Sequence, residues 1–271
     1  MIIQKMPSFL PVAPGQKAIL KVPKYALTLT RLILTLGGTF TKAQIDLIRL
    51  RHGSHTLWEI TGSDLDSYNK YKGIFDIAAQ ITIDLTERDA PSIEGKEIGG
   101  IDLSLLDDEL YVEIDINAAA VNPTLAAWAI FTPPQGNPLM KKLVRVLTPT
   151  LAIGLNDINF NAGGALLQRV FIKYTGTDWG ATTNGNVSQI RVRRDGLPIW
   201  EDVTDLVNRF IQQEYRKVPQ SRFFVYDPIV DNNQSGAVVT AGVKSLQIQP
   251  TLAAADTLTC YFEVLDTPDN L

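Results

Sequence analysis

The chain has one cysteine, Cys260, in 271 residues, so no disulfide can form within it. Folding in a reducing cytoplasm fits that count. Its two histidines, His52 and His55, both lie in the first quarter. The histidine clusters of a two-domain metal oxygenase therefore cannot be built in the second half. No apolar run approaches the ~18 residues that span a bilayer. The opening MIIQKMPSFLPVAPG is broken by Pro7, Pro11 and Pro14 and lacks the apolar stretch of a signal peptide. A G-x-S-x-G elbow, a P-loop and a dinucleotide fingerprint are all missing. The basic stretches lack the interleaved aromatics of a single-strand reader, and no expected helix carries a dense Arg/Lys face. Sequence-specific nucleic-acid recognition is not supported.

Acid is missing from two long stretches. Met1–Ile45 holds six cations (Lys5, Lys17, Lys21, Lys24, Arg31, Lys42) and no anion. Ile116–Asn156 holds Lys141, Lys142 and Arg145 and again no anion. With +6 and +3 placed there, the rest must carry −13 to reach the net charge of −4. Such segregation is read either as ordinary fluctuation or as a molecule with one basic and one acidic end.

What is present is a globular composition, 45% hydrophobic and 20% charged, with 19 Gly and 15 Pro punctuating Thr-, Val- and Ile-rich runs. It is also a repeat. Residues 45–59 (IDLIRLRHGSHTLWE) align without a gap on 187–201 (VSQIRVRRDGLPIWE), with five identities in fifteen. Arg49, Trp58 and Glu59 return as Arg191, Trp200 and Glu201. Upstream, RLILTLGGT (Arg31–Thr39) faces RVFIKYTGT (Arg169–Thr177), with a loop insertion near Trp179 to change the offset. Downstream, LYVEI (Leu110–Ile114) is aligned with CYFEV (Cys260–Val264).

Each copy reads as a strand at 27–36 or 166–174, then a hairpin at 45–60 or 187–201, then a short helix. The hairpins turn at His52-Gly53-Ser54 and at Asp195-Gly196. Thr61 and Thr204 are the expected N-caps, with Asp64 and Asp205 at the positive helix end. In the second helix Leu206, Val207, Phe210, Ile211 and Tyr215 form one apolar stripe. More strands are expected at 74–86 and 98–116, and at 222–230 and 237–265. Many short strands with little helix predict two β-sandwiches, jelly-roll or immunoglobulin-like. The expected divisions are an N-terminal arm (1–14), a first domain (15–132), a linker (133–142) within FTPPQGNPLMKK, and a second domain (143–271).

Trp58 and Trp200 are expected to anchor the sandwich core or the helix packed on it. A stacking platform for sugars or bases is the functional alternative. Arg49 and Arg191 are expected to pair with Glu59 and Glu201 across the hairpin, a contact that adds little when exposed. His52 and His55 read as a solvated turn, and Cys260 as a small buried apolar residue. Asp107–Glu109 and Asp256 read as polar turns, with structural Ca²⁺ as the alternative; no other cofactor is expected.

Three stretches carry a family resemblance. FLPVAPGQKAILKVP (Phe9–Pro23), YVEIDINAAAVNPTLAAW (Tyr111–Trp128) and IRVRRDGLPIWEDVTDLVNRFIQQEYRK (190–217) resemble, in pattern, the double jelly-roll major capsid proteins of icosahedral viruses with an internal membrane, the corticovirus-like bacteriophages in particular. The resemblance implies an all-β chain of two tandem jelly-roll sandwiches with short helical excursions. It implies a non-enzymatic structural protein of the virion capsid, made in the host cytoplasm and assembled as a homotrimer of pseudo-hexagonal outline. The implied partners are its own copies, the penton and minor capsid proteins, and the lipids of the internal membrane. Lys5, Phe9, Lys17, Lys141, Lys142 and Arg145 are then the residues expected to face that membrane. The rival reading is a tandem jelly-roll lectin using Trp128 and Trp179.

Overall fold

The computed structural model describes residues 1–158, 160–268 and 270, which form two compact units. The first comprises Met1–Val144 with Leu265–Asn270, and the second Arg145–Val264.

The first unit contains β1 (Ile2–Lys5), β2 (Lys17–Val22), β3 (Thr28–Gly37), β4 (Ile45–His52), β5 (His55–Ile60), α1 (Gly62–Tyr71), β6 (Gln80–Asp84), α2 (Ile93–Glu97), β7 (Ile101–Asp102), β8 (Leu110–Ile116) and β9 (Thr124–Thr132). One sheet runs β1-β9-β3-β6, with the short β7 also on β3; the other runs β2-β8-β4-β5. The strands alternate as half-buried sheets require. In β2, Ala18, Leu20 and Val22 point inward and Lys17, Ile19 and Lys21 outward. Leu29, Leu32 and Leu34 of β3 are fully buried.

The second chain segment supplies β10 (Met140–Leu151), β11 (Gly154–Leu155), β12 (Leu166–Lys173), β13 (Val187–Arg194), β14 (Leu197–Thr204), α3 (Asp205–Glu214), β15 (Phe223–Tyr226), β16 (Val238–Val239), β17 (Leu246–Leu252) and β18 (Asp256–Asp266). Its sheets run β10-β18-β12-β15, with β16 on β12, and β11-β17-β13-β14. Adding nine to each strand number of the first unit reproduces the second. This interleaved order, two four-stranded sheets with a single hairpin (β4–β5 or β13–β14) inside one of them, is the jelly roll.

The order corrects one alignment. Leu110–Ile114 lies in β8, whose counterpart is β17, whereas Cys260–Val264 lies in β18, the counterpart of β9. Tyr-x-Glu recurs because alternating strands reuse residue types, and the pairing by sequence was a coincidence.

The residues at 133–142 are only partly a connection, because Met140 already begins β10 and the chain up to Val144 packs in the first unit. The opening residues are no free arm either. β1 pairs antiparallel with β9, Ile2 opposite Phe131 and Lys5 opposite Trp128, and Met6 and Phe9 are buried. The stretch 74–86 holds only β6, and α2 interrupts the region before 98–116; Ser92 caps α2 by accepting from the Gly95 N–H.

Local chemistry explains the repeated hairpins. Asp195 and Gly196 have φ of 51° and 80°, the left-handed pair that a two-residue turn between twisted strands demands. Gly53 sits at φ 54° in the other copy, where a Cβ would strike the Asp108 carboxylate. The second hairpin has one residue more. The offset between copies is 142 at the tryptophans but 143 at the capping threonines. The extra residue is Asp202, held at φ 49° where the β13–β14 register shifts.

Candidate functional site

Thr61 and Thr204 cap the two helices through the N–H groups of Asp64 and Val207. Behind each hairpin, the helix hangs on the next strand by an amide. Asn69 donates to the Thr82 carbonyl at 2.9 Å, and Gln212, 143 positions on, donates to the Val225 carbonyl at 3.3 Å. Arg31 and Arg169 also correspond. Arg31 meets Asp84 at 3.4 Å, and Arg169 meets Asp227 at 2.9 Å and, in addition, Glu263 at 2.6 Å. These paired carboxylates sit in β6 or just after β15, where sequence comparison alone showed no match.

The repeated arginines do pair across their hairpins. Arg49 Nε lies 3.3 Å from Glu59 and its Nη1 2.8 Å from Asp115 on β8. Arg51 reaches Glu113 at 3.2 Å, as does Lys17. Arg191 lies 3.2 Å from Glu201, but its shorter contact is to the inserted Asp202 at 2.7 Å, and that bond raises the guanidinium pKa. These ladders tie neighbouring strands together on an outer sheet face. They bring no nucleophile to a base.

The tryptophans share a place and differ in surroundings. Trp58 is 0% exposed, meets Tyr68 edge-on at 5.9 Å, and donates its indole N–H to the Lys141 carbonyl at 2.8 Å. Leu143 pairs with it in parallel. Trp200 meets Tyr226 edge-on at 4.7 Å and is half-buried. The helices differ more. α1 buries Leu65, Tyr68 and Tyr71, whereas α3 buries Asp205, Asn208, Arg209 and Gln212. The apolar stripe of α3 faces outward, with Val207 50% and Phe210 68% exposed.

Of the residues expected to face a membrane, three lie inside the fold. Phe9 is 2% exposed, Lys141 0% and Lys142 1%. Lys141 and Lys72 both bind the buried Glu87, the latter at 2.7 Å, and Lys142 binds Asp266 at 3.4 Å and the carbonyls of Pro268 and Asn270. Buried ammonium groups need such partners, so these lysines fasten the first unit internally. Lys5 and Lys17 are exposed, and Arg145 is half-buried.

The remaining candidates offer no reaction chemistry. His52 is buried rather than solvated, and its Nε2 accepts from the Asp108 N–H at 3.1 Å. Glu109 turns away to Lys21 and Tyr111. Asp256 is no turn; it opens β18 and accepts from Thr175, Gly176 and Asn186. Burial pushes its pKa up, but those hydrogen bonds outweigh it and hold the carboxyl below its ordinary value, as bonds from Ser104, Gly136 and Gln135 do for Asp102. Among the described residues no three His, Cys, Asp or Glu side chains converge on a metal position. Burial pushes the Cys260 thiol up to about 12, far from a reactive thiolate. A cleft of about 800 Å³ between Phe160–Gly164 and Thr240–Gln247 has Lys244 as the one charged residue in its lining. The Arg209 guanidinium lies over one face of the Trp179 ring at 4.3 Å, and the indole N–H donates to the Gln220 carbonyl at 3.3 Å.

Residues 3–132 match the family described as viral coat protein P2 N-terminal domain, and residues 140–268 the viral coat protein P2 C-terminal domain. The chain belongs to the P2 family of viral coat proteins. As a P2 coat protein it is a capsid building block of a virion. The fold agrees. The major capsid protein P2 of bacteriophage PM2 superposes with a TM-score of 0.88 at 16% identity, over 100% of this chain and 99% of that one. The major capsid protein of Sulfolobus turreted icosahedral virus gives 0.73 at 13% identity, over 98% and 96%. The capsid of the virus PBCV-1 gives 0.66 at 10% identity, over 97% and 92%. No curated protein matches the chain by sequence.

Proposed function

We propose that three copies of this P2 coat protein form one capsomer, and that such trimers tile an icosahedral shell around an internal membrane without performing catalysis. The observation that carries the reading is the strand-for-strand duplication within one chain. A threefold object made of six similar blocks fills a six-cornered lattice site, whereas a threefold object of single blocks does not. Unequal details, such as Asp202 and the outward stripe of α3, adapt the two blocks to different neighbours. Penton and minor capsid proteins are the further partners of such a shell.

The proposed membrane contact rests on the acid-free stretches and on Lys5, Lys17 and Arg145, which keep access to solvent. Mass measurement in solution with negative-stain imaging tests the trimer. The expected result is a particle of roughly 90 kDa, three chains of 29.9 kDa, with a hexagonal outline. A monomer at all concentrations overturns it. For the membrane contact, Lys5→Glu with Lys17→Glu is expected to weaken binding to anionic vesicles; unchanged binding removes these residues.

A further inference from the structure

The two units solve the same packing problem differently at one edge. In the first, β5 is the last strand of its hairpin sheet, and its outer side is taken by the segment Met140–Val144. Leu143 pairs with Trp58 in parallel, and the Lys141 carbonyl receives the indole N–H at 2.8 Å. The helix behind this edge is sealed, with Tyr68 and Tyr71 buried.

In the second unit the corresponding strand, β14, ends its sheet with no strand beyond it among the described residues. Trp200 is left half-buried. Leu197 is 73% exposed and Ile199 41%; the helix behind shows Val207 and Phe210 to solvent, and the residues after it show Tyr215 and Val218. Aligned on the capping threonines, Val207 and Ile211 stand where α1 carries the buried Asp64 and Tyr68. The same face is covered in one copy and open in the other. An open strand edge flanked by exposed large apolar side chains is an unfinished interface rather than a stable monomer surface.

The molecule itself shows what covers such an edge. Met140–Val144 begins β10, and β10 is the ninth-shifted counterpart of β1. β1 is likewise the last strand of its sheet, with Ile2 39% and Ile3 56% exposed. Charge agrees. The segment Leu197–Glu214 shows Glu201 and Glu214 to solvent and keeps its one cation, Arg209, buried, while β1 carries the exposed Lys5 and no anion.

We infer that β14 and the outward face of α3 form an interface for a second copy of this chain, whose β1 runs parallel to β14 beside Trp200 as Met140–Val144 runs beside Trp58. The inference rests on the homotrimer reading and supplies its contact. Applied around a closed ring, each copy offers one β14 edge and receives one β1, a head-to-tail contact that repeats until the ring closes.

The test compares three full-length variants by mass in solution: Phe210→Glu, Ile3→Glu and, as a control, Phe75→Glu, whose side chain is 82% exposed on the first unit. All three alter exposed side chains, and melting curves verify that each stays folded. The expected result is loss of the trimer for Phe210→Glu and Ile3→Glu and an intact trimer for Phe75→Glu. A folded Phe210→Glu or Ile3→Glu chain that remains trimeric, beside a trimeric wild type, overturns the inference and leaves the trimer reading standing. A wild-type monomer overturns both. In a second arm, Ile3→Cys chains are mixed with Ile199→Cys chains and treated with a short thiol cross-linker, Cys260 being buried. Covalent pairs forming between the two variants support the arrangement. Pairs formed only within one variant, or none in a trimeric sample, refute it.

Discussion

Replacing Arg169 by Leu removes a cation whose side chain is 0% exposed and which lies 2.9 Å from Asp227 and 2.6 Å from Glu263, both of them buried. A buried ion pair contributes little against an apolar substitute, but removing one partner strands the other, at about 3–5 kcal/mol. Here two buried carboxylates lose the same cation, so the loss belongs at the upper end, about 5 kcal/mol. The same change at the repeated position gives a built-in reference. Arg31 keeps 22% of its side chain in solvent and meets Asp84 at 3.4 Å, so Arg31→Leu is expected to lose only about 1 kcal/mol. Urea unfolding of both variants, with the slope of stability against denaturant checked for constancy, reads the difference directly. For slopes of about 1–3 kcal/mol per molar, a 4 kcal/mol gap moves the midpoint by roughly 1–4 M. Adding Glu263→Leu to Arg169→Leu is expected to restore part of the loss, because one stranded charge then disappears. Equal, small losses for Arg169→Leu and Arg31→Leu refute the argument that the buried triad needs its cation.

Trp58→Ala is expected to destabilise by about 3–5 kcal/mol, since a fully buried indole and its hydrogen bond to Lys141 are both lost, whereas Trp200→Ala is expected to lose less than half as much in the monomer; denaturant melts of the two variants check the order. Lys141→Met is expected to lower thermal stability without changing vesicle binding, because its ammonium is spent on Glu87 inside the fold; a binding defect in a fully stable variant contradicts this. Asp102 and Asp256 have folded pKa values below the ordinary 3.8, so their contribution is fully present above about pH 4 and is lost as pH falls through the lowered values. Melting temperature followed downward from pH 5 is therefore expected to fall less steeply for Asp256→Asn than for the natural chain, and parallel curves tell against the assignment.

The duplicated hairpin was legible because its side chains do local work. A two-residue turn needs left-handed residues at Gly53 or Asp195-Gly196, and a helix start needs an oxygen at Thr61 or Thr204. Arg49 and Glu59 face each other across one turn of chain, so their recurrence could be seen in a linear text. Contacts between strands far apart in sequence left no such mark. Asp84 and Asp227, the partners of the repeated arginines, lie 53 and 58 residues downstream, and Leu110–Ile114 was matched to the wrong strand because alternation makes many strands look alike.

The lysines show the same limit from the other side. Lys5, Lys17, Lys141 and Lys142 are one residue type in two acid-free stretches, and charge counting treats them alike. Only the path of the chain buries two of them against Glu87 and Asp266 and leaves Lys5 and Lys17 at the surface, the latter beside Glu113. The apolar stripe of α3 was visible as a stripe, but its direction was not. α3 packs on its own unit through Asp205, Asn208, Arg209 and Gln212, and periodicity records a stripe without saying which way it points.

By itself, then, the order of residues determined the β-rich class, the repetition of one unit and the local turns and caps, because these depend on interactions a few residues apart. Tertiary structure alone decided the strand-to-strand correspondence, which cations are buried, and which of two matching edges is left open. Those outcomes depend on which distant segment arrives alongside, and that is set by the closing of whole sheets rather than by any short run of side chains.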